Sequence, residues 1–440
     1  MAGPVPADLA RRLAAAGQGH LVAHAAGLSP ESAEAFVAEL SSVPWERVAA
    51  AQSAVPVPLP PDLRPPEALT LRRQRNEPGA LAGLAALAQP LLSAGKVAVA
   101  LLAGGQGTRL GHAGPKGTFV LGPSPDRTLF AILMERLLAE GRRAGAPVPV
   151  VVLTGPDTDG PTREAFAAAD FFGHDRAHVH VVRQGALPAL TDQGRALLAG
   201  PGRLALSPDG HGGLFEALRR EGLSWLASRG VEWLATCQVD NPLARPLDPV
   251  FLGWTVSRRA VAAGKAVRKA SPEERVGVFA RGLDGRVRVV EYSELPAGAF
   301  PDLVLGSIAV HAFSVPWLAS LAADPSFSLP YHRARKRVAC LDDDGRPVAP
   351  AEPNATKLEQ FLFDLLPLAP RVAVHEVDRR REFAPVKNAT GDDSPETARA
   401  AVAHEIGRWY RVAGLPVPDP VPPLCPLVAD GPADLLRGRG

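Results

Sequence analysis

The sequence predicts a doubly wound α/β protein with a mostly parallel, mixed sheet, an N-terminal helical region and a small C-terminal part. Three observations lead there. First, the apolar runs VAVALLAG (97–104), VPVVVLTG (148–155), HVHVVRQG (178–185) and VEWLATCQVD (231–240) have the continuous hydrophobicity of buried parallel strands. Second, helical patterns lie between them, such as TLFAILMERLLAEGRRAG (128–145) and GGLFEALRREGLSWLASRG (212–230). Strand–helix–strand alternation is what parallel pairing through crossover helices requires. Third, VGVFARGLDGRVRVVEYSEL (276–295) breaks the alternation. It has two strand-like halves joined by Asp284-Gly285, a strong hairpin signal, and a hairpin beside the sheet builds one wall of a pocket.

In chain order, residues 1–50 are rich in Ala and Leu with dispersed charge and predict helices. The stretch AAGLSPESAEAFVAEL carries a start signal, with Ser29 as N-cap, Pro30 at the first helical position and Glu31 after it. A connector with six prolines between Val55 and Glu67 follows, which excludes helix and central strand and predicts a surface crossing. The segment KLEQFLFDLL (357–366) suggests a helix with Phe361 and Phe363 in its core. SPETARAAVAHEIGRWY (394–410) predicts a helix capped by Ser394, with Pro395 first and Val402, Ile406 and Trp409 as its apolar stripe. These elements divide the chain into a helical region and connector (1–94), a main α/β domain (95–390) and a C-terminal helix and tail (391–440).

Composition narrows the possible functions. The 440 residues are 46% hydrophobic and 21% charged, with a net charge of +2, ordinary for a soluble globular protein. No polybasic block occurs, so nucleic-acid and membrane-surface roles have no electrostatic footprint, and 5% aromatics argue against a base-stacking platform. Cys237, Cys340 and Cys425 are far apart and odd in number. They form neither a disulfide framework nor a structural zinc site, and suit a reducing cytoplasm. The N-terminus lacks a secretory pattern, and no 18-residue apolar run predicts a membrane span. Only 7 lysines stand against 41 arginines, so each lysine is worth locating.

In open α/β sheets, ligands bind at the C-terminal ends of the strands. The first such loop lies in LLAGGQGTRLGHAGPKG (101–117), where a buried strand runs into Gly104, Gly105, Gly107 and Gly111. Glycines permit positive φ and close approach of a ligand to the backbone, and consecutive amides can cradle an anion. Arg109 and Lys116 add fixed positive charge, as a triphosphate or pyrophosphate needs. The spacing fits neither the ATPase P-loop nor the dinucleotide-binding fingerprint. A plain glycine-rich turn is the alternative.

LAGGQGTRLG followed by PKG resembles the signature of the UDP-sugar pyrophosphorylases, the uridylyltransferases that include UDP-N-acetylglucosamine pyrophosphorylase. Five further segments are similar to that family, in order: QGALPAL (184–190), SPDGHGGLFEAL (207–218), VDNPLARPLDPVFLG (239–253), VGVF…VVEYSEL (276–295) and EFAPVKN (382–388). The resemblance covers roughly residues 95–400. It implies a nucleotidyltransferase, glycosyltransferase A-like Rossmann core and a Mg²⁺-dependent reaction in which UTP and a sugar 1-phosphate give a UDP-sugar and pyrophosphate. The favoured acceptor is N-acetylglucosamine 1-phosphate.

The family's metal-binding Asp matches Asp240, which also counts as a nucleotide contact. A hard oxygen ligand there suits Mg²⁺, which takes one or two carboxylates and keeps waters; an Asp capping the next turn is the alternative. By resemblance, Lys116 and Lys357 contact nucleotide phosphates, and Lys387 the sugar phosphate and the α-phosphate in the transition state. Arg109, Lys116 and Lys387 are the expected catalytic cations. The uracil-reading Gln matches Gln184, whose amide offers a donor and an acceptor. Backbone from Leu102, Ala103, Gly104 and Gly105, with Gly210, completes that contact. Gly277, Glu291 and Tyr292 match sugar contacts, and Phe361 and Phe363 match aromatic positions near the acetyl pocket. His211 and Ser307 fall at sugar positions where the N-acetylglucosamine enzymes carry Asn, and Val304 replaces a second Asn. A glucose 1-phosphate or broad-range enzyme is therefore the alternative within the class. The remaining lysines, Lys96, Lys265, Lys269 and Lys336, are expected on the solvated surface, and His311 and His332 in structural roles. Outside the class stand a silent UDP-sugar sensor and a glycosyltransferase. The complete set Arg109, Lys116, Asp240, Lys357 and Lys387 opposes the first; the single carboxylate of VDN opposes the second, which would use Asp-x-Asp.

Overall fold

The computed structural model describes residues 4–53, 59–122, 126–296, 298–342 and 344–437. The chain forms two units, each discontinuous in sequence. One comprises Met1–Pro58, Gln184–Gly213 and Ser328–Leu362; the other comprises Leu59–Arg183, Leu214–Phe327 and Phe363–Gly440.

In the first unit the N-terminal stretch folds into four helices: α1 (Ala7–Ala15), α2 (Gly19–Ala26), α3 (Pro30–Ser42) and α4 (Trp45–Ser53). The side chain of Ser29 accepts the Ser32 amide and Pro30 opens α3, as the sequence indicates. Leu13, Leu21, Phe36, Leu40 and Trp45 form a core shared with Leu187, Leu190 and Leu358 from the later segments. Buried Gln18 stitches these together: its Nε2 donates to the Gly194 carbonyl (2.8 Å) and its Oε1 accepts from the Ala196 amide (2.8 Å). Ala355–Glu359 is a strand, antiparallel to His332–Lys336. This corrects the helix expected over KLEQFLFDLL, of which only the end, Leu362–Leu368, is helical, as a 3₁₀ turn. Lys, Leu and Glu favour helix, but that preference is under ~1 kcal/mol per residue and a ladder partner outweighs it.

The second unit carries the sheet. Its strands are β1 (Ala68–Leu69), β2 (Val97–Leu102), β3 (Val150–Thr154), β4 (Val179–Arg183), β5 (Trp233–Gln238), β6 (Ala262–Arg268), β7 (Val278–Arg281), β8 (Val287–Val290), β9 (Leu305–Ser314) and β10 (Val372–Glu376). Their spatial order is β1-β10-β6-β9-β5-β2-β3-β4, with the β7–β8 hairpin attached to β9. β5, β2, β3 and β4 are parallel. β9 runs antiparallel to both its neighbours, and β6, β10 and β1 are parallel to one another. Every residue of β2 and β3 is buried, the environment that continuous apolar runs need. β4 is an edge strand and only half-buried, which corrects the fully buried strand expected at 178–185. The hairpin closes at the anticipated turn, with Gly285 at φ +75°.

Helices α5 (Pro78–Ser93), α6 (Leu129–Ala144), α7 (Pro249–Ser257) and α8 (Pro395–Val412) belong to this unit. Ser394 and Thr397 form a full capping box at the start of α8, and Val402, Ile406 and Trp409 are buried. Trp254 of α7 donates its indole N–H to the Val374 carbonyl of β10, fixing that helix on the sheet. A Cβ at Gly253 would lie 1.7 Å from the Leu84 carbonyl oxygen, so α7 and α5 meet backbone to backbone there. The pattern at 212–230 is helical but uneven: α-helical Gly213–Ala217 and Leu223–Ala227 flank a π turn at Leu218–Gly222. Of the proline connector, 54–58 lie outside the described residues. Beyond them Arg64 and Arg281 exchange backbone hydrogen bonds of 2.9 and 2.8 Å along β7, a pairing open to a non-proline position. No helix among the described residues is long and apolar enough to cross a membrane.

Candidate active site

The loop after β2 folds back on itself. Lys116 donates its amide to the Gly105 carbonyl (3.0 Å), and Gly107 donates to the Gly114 carbonyl (2.9 Å). Its glycines serve different ends than expected. Gly104, Gly105 and Gly107 do not take positive φ; Gly111 does, at +68°, ending a 3₁₀ turn. A Cβ would meet His112 at Gly107 (2.8 Å) and the Phe130 ring at Gly117 (2.3 Å), whereas at Gly105 the space is open. Gly105 therefore leaves backbone accessible, while Gly107 and Gly117 are demanded by packing. Arg109 lies exposed on the 3₁₀ turn Thr108–Leu110.

Lys116 starts a second 3₁₀ turn, and its Nζ lies 3.0 Å from Asp240 Oδ2, with both side chains mostly buried. β5 stops at Gln238, so Asp240 sits in the loop beyond the strand tip. That loop is bound to the one carrying Lys387. The Val386 amide donates to the Asp240 carbonyl (2.9 Å). Asn241 Oδ1 accepts the Ala384 amide (3.0 Å) and its Nδ2 donates to the Glu382 carbonyl (2.7 Å). Lys387, 44% exposed, places its Nζ 3.1 Å from Asp393 Oδ2 and 5.6 Å from the centre of the Phe383 ring. The glycine turn, Asp240 and Lys387 thus converge on one locale at the strand ends. Among the described residues, no group of three or more His, Cys, Asp or Glu could hold a metal. A divalent cation here would take Asp240 and draw its other ligands from phosphate and water, the usual habit of Mg²⁺.

At the hairpin root, the Ser307 amide donates to the Gly277 carbonyl (2.8 Å), and a Cβ at Gly277 would lie 2.9 Å from Glu291 Oε1. Gly277, Glu291 and Ser307 therefore come together, and Tyr292 beside them is 47% exposed.

The first unit holds Gln184, Gly210, His211 and Lys357. Gln184 is buried, its Cβ 3.0 Å from where a Cβ on Gly213 would sit. Gly210, at φ +85°, lies against residue 360: a Cβ there would be 2.5 Å from the Gln360 carbonyl, and the Gly212 amide donates to that same oxygen. His211 Nδ1 accepts the Leu362 amide (3.1 Å), which puts the proton of the neutral ring on Nε2. Burial, and then His332, lower its pKa to about 4, so the ring is neutral at physiological pH. Phe361 stacks at 5.4 Å from His211 and lies tilted, 4.6 Å from the His332 ring. Lys357 lies on the strand Ala355–Glu359, opposite Ala334. Phe363 belongs to the other unit and is buried in the 3₁₀ turn.

One functional candidate escaped the sequence. Lys265, expected on the surface, is fully buried in β6. Its Nζ lies 2.6 Å from Glu382 Oε2 and 2.9 Å from Asp248 Oδ2, and donates to the Arg245 carbonyl (3.0 Å). The signal was present: a scarce lysine inside the apolar run AVAAGKAV cannot be solvated if that run is a central strand. A cavity of about 440 Å³ in the same unit is bounded by Arg143, Arg245, Trp409 and Asp430, and its walls include neither the glycine turn, nor Asp240, nor Lys387.

Residues 78–311 match the family model described as UTP–glucose-1-phosphate uridylyltransferase. The chain is 39% identical over 436 residues to a human protein named UDP-N-acetylhexosamine pyrophosphorylase-like protein 1, covering 92% of this chain and 86% of that one. It is 37% identical over 377 residues to UDP-N-acetylglucosamine diphosphorylase 1 of Arabidopsis thaliana, covering 78% and 73%. The fold is similar to the crystal structure of the uridine diphosphate N-acetylglucosamine pyrophosphorylase from Trypanosoma brucei. That match has a TM-score of 0.78 at 27% identity and covers 94% of this chain and 87% of that one.

Proposed function

Because this chain belongs to the UTP–glucose-1-phosphate uridylyltransferase family, we propose that it transfers the uridylyl group of UTP to a sugar 1-phosphate, with N-acetylglucosamine 1-phosphate favoured. A phosphate oxygen of the sugar forms a bond to the α-phosphorus. The bond from that phosphorus to the bridging oxygen breaks, and its electron pair leaves on pyrophosphate. Such a displacement asks the protein for alignment and for positive charge around the oxygens that gain charge.

The observation that supports this most is the convergence of Lys116, Asp240 and the Lys387 loop at the strand tips. Lys116 and Arg109 hold nucleotide phosphates, and Lys387 holds the sugar phosphate and the α-phosphate as charge develops between them. Lys357 adds a point charge for the UTP phosphates. By resemblance, Gln184 and Gly210 are assigned to uracil recognition. By the same resemblance, Gly277, Glu291, Tyr292 and Ser307 in one unit, and His211 in the other, are assigned to the sugar. Asp240 would hold Mg²⁺, which when bound neutralises phosphate charge. A cytoplasmic location belongs to the same proposal and rests on three cysteines that are all free.

The test is a pyrophosphate-release assay with UTP, Mg²⁺ and a panel of sugar 1-phosphates. Release with N-acetylglucosamine 1-phosphate as the best acceptor is expected. Turnover of none of the panel, with UDP-sugar binding by calorimetry, would instead indicate a sensor. A higher kcat/KM for glucose 1-phosphate would favour the second reading, which rests on His211 and Ser307 standing where the N-acetylglucosamine enzymes carry Asn.

A further inference from the structure

We propose that Lys265 is a positioning residue: one buried ammonium clamps together the two loops that carry Asp240 and Lys387. This rests on the uridylyltransferase reading. Its two carboxylate partners come from different segments. Asp248 ends the loop that begins at Asp240, and its Oδ1 also accepts the Val250 amide at the start of α7. Glu382 immediately precedes the loop 383–388, and its backbone carbonyl accepts from Asn241. The third contact, the Arg245 carbonyl, lies again in the first loop. Lys265 therefore ties the far end of the Asp240 loop to the near end of the Lys387 loop. Asn241 and Val386 join the same loops close to the site.

One ammonium faces two carboxylates, and burial of Glu382 raises its carboxyl against the attraction of Lys265 and Arg245. Burial pushes the Lys265 ammonium toward its neutral form, but attraction to Asp248 and then Glu382 more than offsets this and holds it protonated. His375 from β10 faces the same group, with Nδ1 3.8 Å from Asp248 Oδ2, and burial keeps its ring neutral. The Phe251 ring lies 5.5 Å from the ammonium. A fully buried cation in the middle of β6 has no solvation role. An ion pair of this kind adds little net stability over an apolar replacement, so geometric definition is the property it supplies. In-line transfer is sensitive to that definition, since a displacement of about 1 Å at a transition-state contact can lower a rate by about 10²-fold.

A double-mutant cycle distinguishes placement from general support. Asp248→Asn, Lys265→Met and Glu382→Gln together remove all three charges while keeping shape and the acceptor at the helix start. This triple variant is expected to lower kcat at least ~10-fold, with KM for UTP within ~3-fold and calorimetric UTP stoichiometry unchanged. If Lys265 acts by placing Lys387, adding the triple change to Lys387→Ala costs less than ~2-fold further. Should the triple variant fail to fold, Glu382→Gln alone, which keeps the acceptor for Lys265, is expected to lower kcat at least ~3-fold with the same non-additivity. An unchanged kcat in the folded variant, or a loss that multiplies fully with that of Lys387→Ala, overturns the proposal. A wild-type chain that releases no pyrophosphate overturns the functional reading instead, and the positioning role with it.

Discussion

Lys116 and Lys387 share an electrostatic arrangement: each ammonium faces a carboxylate, Asp240 at 3.0 Å and Asp393 at 3.1 Å. An entering phosphate adds negative charge, which a divalent cation at Asp240 would offset, and it competes with these carboxylates for the ammonium groups. A compact ammonium suits this better than a forked guanidinium, which fixes its donors in a plane. Lys387→Ala is expected to lower kcat by at least ~10²-fold, the loss typical of one preorganised donor; a near-wild-type rate would remove Lys387 from the mechanism. Asp240→Asn is expected to raise the Mg²⁺ concentration for half-maximal rate at least ~10-fold. An unchanged Mg²⁺ titration rejects Asp240 as the metal ligand. His211 presents a neutral ring with its proton on Nε2, hence one fixed donor, where an Asn would present a donor and an acceptor. His211→Asn is expected to shift the kcat/KM ratio toward N-acetylglucosamine 1-phosphate over glucose 1-phosphate by at least ~10-fold. A ratio that stays put means that His211 does not select the sugar.

At the scale of elements, the parts most legible in the sequence were those with one dominant local cause. The run VAVALLAG could only be a doubly covered strand, Asp284-Gly285 could only be a tight turn, and Ser394-Pro395 could only open a helix. Elements decided by distant partners were not legible. Ala355–Glu359 became a strand because His332–Lys336 lies beside it, and β1 formed because β10 offered an edge. The site followed the same division. Lys116, Asp240 and Lys387 stood in unusual local segments, whereas Lys265 acquires meaning only through Asp248 and Glu382, 17 and 117 residues away in the chain. Gly253 is a further case, invisible until α7 is laid against the Leu84 carbonyl. Gly253→Ala must force two helix backbones apart, and overpacking of this kind typically costs about 1–3 kcal/mol. A lower melting temperature than wild type is expected, and an unchanged one would mean that the α5–α7 crossing relaxes freely.

At the scale of the molecule, an ionic network joins the segment after α8 to the loop that follows Asp240. Arg136 of α6 is buried, donates Nε to Asp430 Oδ1 (2.9 Å) and donates to the carbonyls of Pro242 (2.6 Å) and Ala244 (3.1 Å). Arg245 of the same loop pairs with Asp430 at 3.0 Å. The tail beyond α8 is thus anchored, through Asp430, to the segment that follows Asp240. Glu140, one turn along α6 from Arg136, shares this surrounding, and burial, then the Asp430 charge, raise its carboxyl to about 7 from 4.5. The sign follows directly. Between pH 4.5 and 7 the folded chain keeps a proton on Glu140 that the unfolded chain has released, so stability falls as pH rises through that window. The full effect is on the order of 3 kcal/mol. Glu140→Gln mimics the protonated form and removes the penalty. Its melting temperature should match wild type near pH 5 and exceed it at pH 8, so the pH dependence of the difference reports the Glu140 charge together with its coupling to Asp430. Parallel melting curves across that range would show that the Glu140 carboxyl titrates in the folded protein as it does in the unfolded one.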